Sequence, residues 1–185
     1  MNRLFSVLAL FAIVFMAATM IIGLSLGELD AQASPETLIW ARVHRLSGIF
    51  AAVAVVFVDS IVVTYFIGTS RWCKEVADAY KLDRRFVQRS TGLKRRTFPY
   101  ALVSMLAVVG MVALGGAADP AAALRLQPIA GVTWTQLHLA GAIGGITLIG
   151  YLFVLQGSSL VENQQIIQDV TAEVRRIRLE KGLEV

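Results

Sequence analysis

The chain has 185 residues, 56% of them hydrophobic and only 16% charged, with a mean hydropathy of +0.66 and a formal net charge of +4. That balance excludes a water-soluble globular domain and points to an integral membrane protein. One cysteine and two histidines provide neither a disulfide framework nor a Cys/His run of metal-ligand spacing.

Four segments are apolar enough to cross a hydrocarbon core, which needs about 20 helical residues. They cover roughly 4–26, 37–67, 98–114 and 134–155. The first carries Ala31-Gln-Ala33 beyond it, like a cleavage site for a leader. Its apolar run is longer than an ordinary leader core and is read as a membrane helix. Ser34-Pro35 places a capping hydroxyl ahead of a proline at the first turn of the second segment, which is long enough to tilt or to project beyond the membrane. Pro99 is placed at the start of the third helix, where a missing N–H is tolerated. Pro120 and Pro128 break regular structure in the loop that follows, and Thr133-Trp-Thr-Gln136 reads as a capping box opening the fourth helix.

The fold expected is an all-α membrane protein: four transmembrane helices in an up-down bundle. Amphipathic cytoplasmic helices are expected in the second loop (Trp72, Val76, Ala79, Tyr80) and in the tail at 157–185 (Ile166, Val170, Val174, Ile177), lying on the membrane or against a partner subunit. Orientation follows from the basic loop 69–96, with Arg71, Lys74, Lys81, Arg84, Arg85, Arg89, Lys94, Arg95 and Arg96 against three acids. The first loop has Glu28, Asp30 and Glu36 and no basic residue, and the third has Asp119 and Arg125. Basic short loops stay inside, so both termini are expected in the cytoplasm and the chain in the bacterial inner (cytoplasmic) membrane. The same basic cluster suits anionic lipid headgroups at Lys94-Arg95-Arg96. No nucleic-acid recognition motif accompanies it. Cys73 is read as a small semi-buried side chain.

The two histidines occupy matching contexts, Trp40-Ala-Arg-Val-His44 and Trp134-Thr-Gln-Leu-His138, each at the start of an apolar helix that runs from outside to inside. Residues four apart share a helix face, so each Trp stacks one turn ahead of its His. Two imidazoles facing each other across a bundle suit a low-spin, bis-His haem b. Small residues after each histidine (Ser47, Gly48, Ala51, Ala52; Ala140, Gly141, Ala142, Gly144, Gly145) would leave room for it. They equally form small-xxx-small helix contacts that need no ligand, and both tryptophans suit an interfacial belt. A pigment magnesium on either His is an alternative, whereas copper or zinc would want further donors.

His44-Arg45-Leu46-Ser47-Gly48 resembles the His-Arg-x-Ser/Thr-Gly pentapeptide of the cytochrome b-type membrane-anchor subunits of succinate dehydrogenase. In that family the pentapeptide lies by the quinone site and other histidines bind haem, so the resemblance implies that Arg45 and Ser47 contact a quinone carbonyl. It covers five residues, and four helices rather than three depart from the family.

Asp59, about 22 Å deeper than His44 along its helix, falls inside the bilayer. It is expected to be satisfied by a hydrogen bond or ion pair with Lys94, Arg95, Arg96 or Tyr151 in preference to acting in a proton relay. No nucleophile elbow, phosphate loop or carboxylate pair is present. The expectation is thus a subunit of a larger bioenergetic complex, carrying one haem between His44 and His138 and exchanging electrons with quinone or other membrane subunits. The alternative is a cofactor-free accessory or assembly subunit. A transporter or channel would need more polar residues along a path.

Overall fold

The computed structural model describes residues 1–26, 34–122 and 126–183; Glu28, Asp30, Ala31-Gln-Ala33 and Arg125 lie outside them. Four helices follow one another: α1 (Asn2–Leu26), α2 (Pro35–Tyr80), α3 (Arg84–Ala118) and α4 (Trp134–Glu180). All four are long and apolar enough to span a membrane, and the protein is an all-α integral membrane four-helix bundle. Each helix packs against its sequence neighbour, and α1 also packs against α4, closing the ring. The diagonal between α2 and α4 is short enough for these two to touch, while α1 and α3 stay apart.

Local chemistry sets the helix ends. Ser34 accepts from the Thr37 N–H at 3.1 Å with Pro35 behind it, and Thr133 and Gln136 close a reciprocal capping box at 3.0 and 3.2 Å. Asp83 accepts from the Arg85 N–H at 2.8 Å to open α3. Ile129 and Val132 exchange both backbone hydrogen bonds around Ala130 (φ 52°) and Gly131 (φ 82°), a two-residue turn with both central residues left-handed.

The buried positions advance by threes and fours: Phe5, Ala9, Ala12, Met16 and Thr19 on α1, and Ile149, Leu152, Gln156, Ser159, Asn163, Ile166 and Val170 on α4. That is the seam of a left-handed helical bundle. Leu10, Phe57, Leu106, Ile143 and Val154 point outward, giving the apolar exterior that lipid requires.

The seam continues past the membrane, which changes three expectations. At 1.5 Å per residue, α2 with 46 residues and α4 with 47 reach about 70 Å, more than twice a hydrocarbon core of about 30 Å. The stretches at 71–80 and 157–180 are therefore not separate surface helices. They prolong α2 and α4 and, with the start of α3, build a three-helix extension around Phe66, Cys73, Phe86, Leu93, Leu160, Ile166 and Val170. Its buried face on α2 is Ser70, Cys73 and Ala77, while Trp72 is exposed. The basic loop shrinks to the turn at Lys81, Leu82 and Asp83, its charges standing on helix ends. Pro99 lies well inside α3 rather than at its start; the carbonyl four residues earlier, on Arg95, therefore receives no helical N–H from it.

Candidate functional site

His44 and His138 meet. Their ring centroids are 6.2 Å apart with planes at 74°, edge to face, across the α2–α4 diagonal near the N-terminal ends of both helices. This end of the bundle holds the α1–α2 and α3–α4 connections together with Arg42 and Arg45, and the opposite end holds most of the other basic residues.

Each imidazole is wedged against a glycine of the preceding helix. A β-carbon on Gly23 of α1 would stand 2.6 Å from His44 Cε1, and one on Gly115 of α3 would stand 3.1 Å from His138 Cε1. A helical side chain covers the turn N-terminal to its own Cα, so glycine at 23 uncovers the carbonyl of residue 19. His44 Nδ1 hydrogen-bonds that carbonyl, on Thr19, at 3.0 Å. The second half repeats the arrangement. His138 Nδ1 faces the carbonyl of Met111, four residues before Gly115, although it closes no hydrogen bond of good geometry. The α1–α2 and α3–α4 hairpins thus carry the same device: glycine, carbonyl one turn earlier, imidazole. With Nδ1 turned to the backbone, Nε2 of each ring is the nitrogen left to ligate. The Thr19 hydroxyl, buried beside this site, has no partner among the described residues.

The other residues singled out by sequence divide. Ser47 donates back to the His44 carbonyl at 2.9 Å, and Arg45 pairs with Asp119 at 3.3 Å, tying α2 to the end of α3. Trp134 donates from Nε1 to the Gln127 carbonyl at 3.1 Å, whereas Trp40 lies on the outside of the bundle. A β-carbon on Gly48 would make ordinary contact with Thr19 Cγ2 at 3.9 Å, whereas β-carbons on Gly141 and Gly145 would run into Leu114 and Met111 of α3. Gly141 and Gly145 serve the approach of α4 to α3. Gly144 has open space around it. Among the described residues, no group of three or more His, Cys, Asp or Glu converges to hold a metal ion.

Asp59 is fully buried, and its partners differ from those expected. Gln156 Nε2 donates to Asp59 Oδ1 at 2.8 Å, and the Ser104 hydroxyl faces the same carboxyl. Tyr151 points out of the bundle, and Arg96 pairs with Glu162 on α4. Lone Gln and Ser residues in apolar runs carry no sequence signal for this, because their partners lie on other helices.

No protein-family model, no curated protein and no solved structure matches this chain.

Proposed function

We propose that the chain is a membrane-integral electron-transfer subunit of a larger bioenergetic complex, holding one haem b between His44 and His138. The observation that carries this reading is the paired imidazole device. The two rings stand with centroids 6.2 Å apart, so His44 and His138 are the residues that would hold a metal between them. Backbone carbonyls at Nδ1 fix the tautomer and orientation of metal-ligating histidines. The two glycines form cradles in which the rings sit against bare backbone.

A haem held by His44 and His138 would supply single-electron transfer. Gly23 and Gly115 then limit ring rotation, the Thr19 carbonyl fixes His44 Nδ1, and the Arg45–Asp119 pair braces the rim. The excess of basic residues at the far end supports a cytoplasmic position for that end and both termini, in a bacterial inner membrane, with Lys94, Arg95 and Arg96 suited to anionic lipid headgroups. His44 and His138 then lie near the outer face, where electrons enter from a partner and leave to quinone or another subunit.

A second reading is supported by Gly141 and Gly145, which are used for helix contact: a cofactor-free structural or assembly subunit. A reduced-minus-oxidised absorbance spectrum of the detergent-purified protein, with extracted haem quantified, separates the two. A b-type band that disappears in both His44→Ala and His138→Ala supports bis-His ligation. Loss with only one of them indicates a single-His site, and a flat spectrum from the intact complex overturns the haem reading.

A further inference from the structure

A second built site lies deeper in the bundle, where α2, α3 and α4 each contribute one polar residue to an apolar core. Asp59, Ser104 and Gln156 are all fully buried. Besides the Gln156–Asp59 bond, three of their atoms have no hydrogen-bond partner among the described residues: Asp59 Oδ2, Ser104 Oγ and Gln156 Oε1. Neighbouring positions on the same faces are Val55, Val58, Val62, Ala101, Val108, Ile149, Leu152 and Leu160, all buried and apolar. Thr97, two turns before Ser104 on α3, back-bonds to Leu93 in the ordinary way, but Ser104 makes no such bond and stands toward Asp59.

The charge inventory around the carboxyl is one-sided. On α1 no charged residue follows Arg3 within the helix, and α2 has none besides Asp59 between Arg45 and Arg71. On α3 none lies between Arg96 and the end of the helix, and on α4 none lies between Trp134 and Glu162. Arg45 pairs with Asp119, and Arg96 pairs with Glu162. Of the tyrosines within the bundle, Tyr151 points outward, while Tyr65 and Tyr100 are half-buried one to two turns from the cluster. Lys94 of α3 lies in the groove beside Val62 and Phe66 but forms no ion pair with Asp59, so among the described residues an ionised Asp59 would have no cation within salt-bridge reach, in surroundings where an unpaired charge is costly.

Counting hydrogens decides the state. With Asp59 ionised, the three orphan atoms share a single hydrogen, that of the serine hydroxyl, and one acceptor is left over. One added proton supplies the second. Asp59 Oδ2–H would then donate to Ser104 Oγ, freeing Ser104 Oγ–H for Gln156 Oε1, while Gln156 Nε2 already donates to Asp59 Oδ1.

We propose that Asp59, Ser104 and Gln156 form a proton-binding site in which Asp59 is held as the neutral acid, closing a ring of hydrogen bonds that joins α2, α3 and α4. The proton is the ligand, taken from water, and no other ion is required. The site is independent of any cofactor at the histidines.

The test is infrared spectroscopy of the full-length protein in detergent at neutral pH, comparing wild type with Asp59→Asn. A carbonyl stretch of a protonated carboxylic acid is expected in the wild type and absent from Asp59→Asn, and Ser104→Ala should shift that band by removing the acceptor. Asp59→Asn keeps the shape and neutrality of the acid, so its helical circular dichroism should match wild type. Absence of the acid band from folded wild type, with carboxylate in its place, overturns the proposal. So does a thermal stabilisation by sodium ion alone that Asp59→Asn abolishes, which would mark a cation site. A band unaffected by Asp59→Asn belongs to another residue and also overturns it.

Discussion

The imidazole of His44 rests where a side chain on Gly23 would stand, with its Cε1 2.6 Å from the place a β-carbon would take. Alanine in a helix interior is normally better than glycine by about 0.5–1 kcal/mol. Here the methyl collides with a ring held on both sides. Gly23→Ala is therefore expected to lower thermal stability in the wild-type background. In a His44→Ala background it should raise stability by about 0.5–1 kcal/mol, because only the helix preference remains. Gly115→Ala, with a looser 3.1 Å approach to His138, should have the smaller effect. Circular-dichroism melts of the four proteins of the cycle measure this, and additivity would show that the ring and the glycine do not touch.

Cys73 reports whether the basic end is a packed bundle. Its thiol is 1% exposed and lies against Ser90 of α3, seven residues before the end of α2. A helix lying on the membrane surface would leave such a thiol within reach of water. The folded protein should react with a charged maleimide on the order of tenfold or more slowly than the same chain in SDS, because labelling requires the extension to open. Equal rates would mean that the extension is not packed.

Ala130 carries a left-handed backbone at φ 52° in the turn between Ile129 and Val132. An L-residue pays roughly 1–2 kcal/mol for that conformation, and glycine does not. Ala130→Gly should gain up to about 1 kcal/mol, the remainder being lost to the greater freedom of glycine in the unfolded chain. A higher melting temperature with an unchanged spectrum is the expected result, and a lower one would mean that the turn does not form.

The helix starts and the apolar spans were legible because they depend on neighbours in sequence: Ser34-Pro35, Thr133 with Gln136, and long runs free of charge. The helix lengths were not. Beyond the membrane the buried face of α2 is Ser70, Cys73 and Ala77, small or weakly polar residues that do not advertise a core, while the conspicuous Trp72 faces out. The histidine pair was legible from its matching Trp-x-x-(Val/Leu)-His contexts. Gly23 and Gly115 stand at nearly equal distances ahead of the two histidines, a faint repeat that becomes readable once the helices are seen to pair. Gln156 could not be read as the partner of Asp59, because that contact joins residues far apart in the chain on separate helices.

The Asp59–Gln156 hydrogen bond makes a sharper claim about energetics, because both ends are fully buried. Replacing one member of such a pair leaves the other with its desolvation penalty unmet, about 1–3 kcal/mol, whereas replacing both by apolar groups of similar shape can be nearly neutral. Gln156→Leu alone should therefore destabilise the bundle by about 1–3 kcal/mol. Asp59→Leu alone should cost a comparable amount by stranding the Gln156 amide, although Ser104 retains one group with which to share it. The double variant Asp59→Leu/Gln156→Leu should recover most of the loss, since α2 and α4 then meet through aliphatic side chains of the kind that surround them at Val55, Val62, Ile149 and Leu160. Reversible unfolding of the four proteins in SDS titrations gives the coupling energy. If the double variant loses the sum of the two single losses, the residues contribute separately and the hydrogen bond does not join the helices.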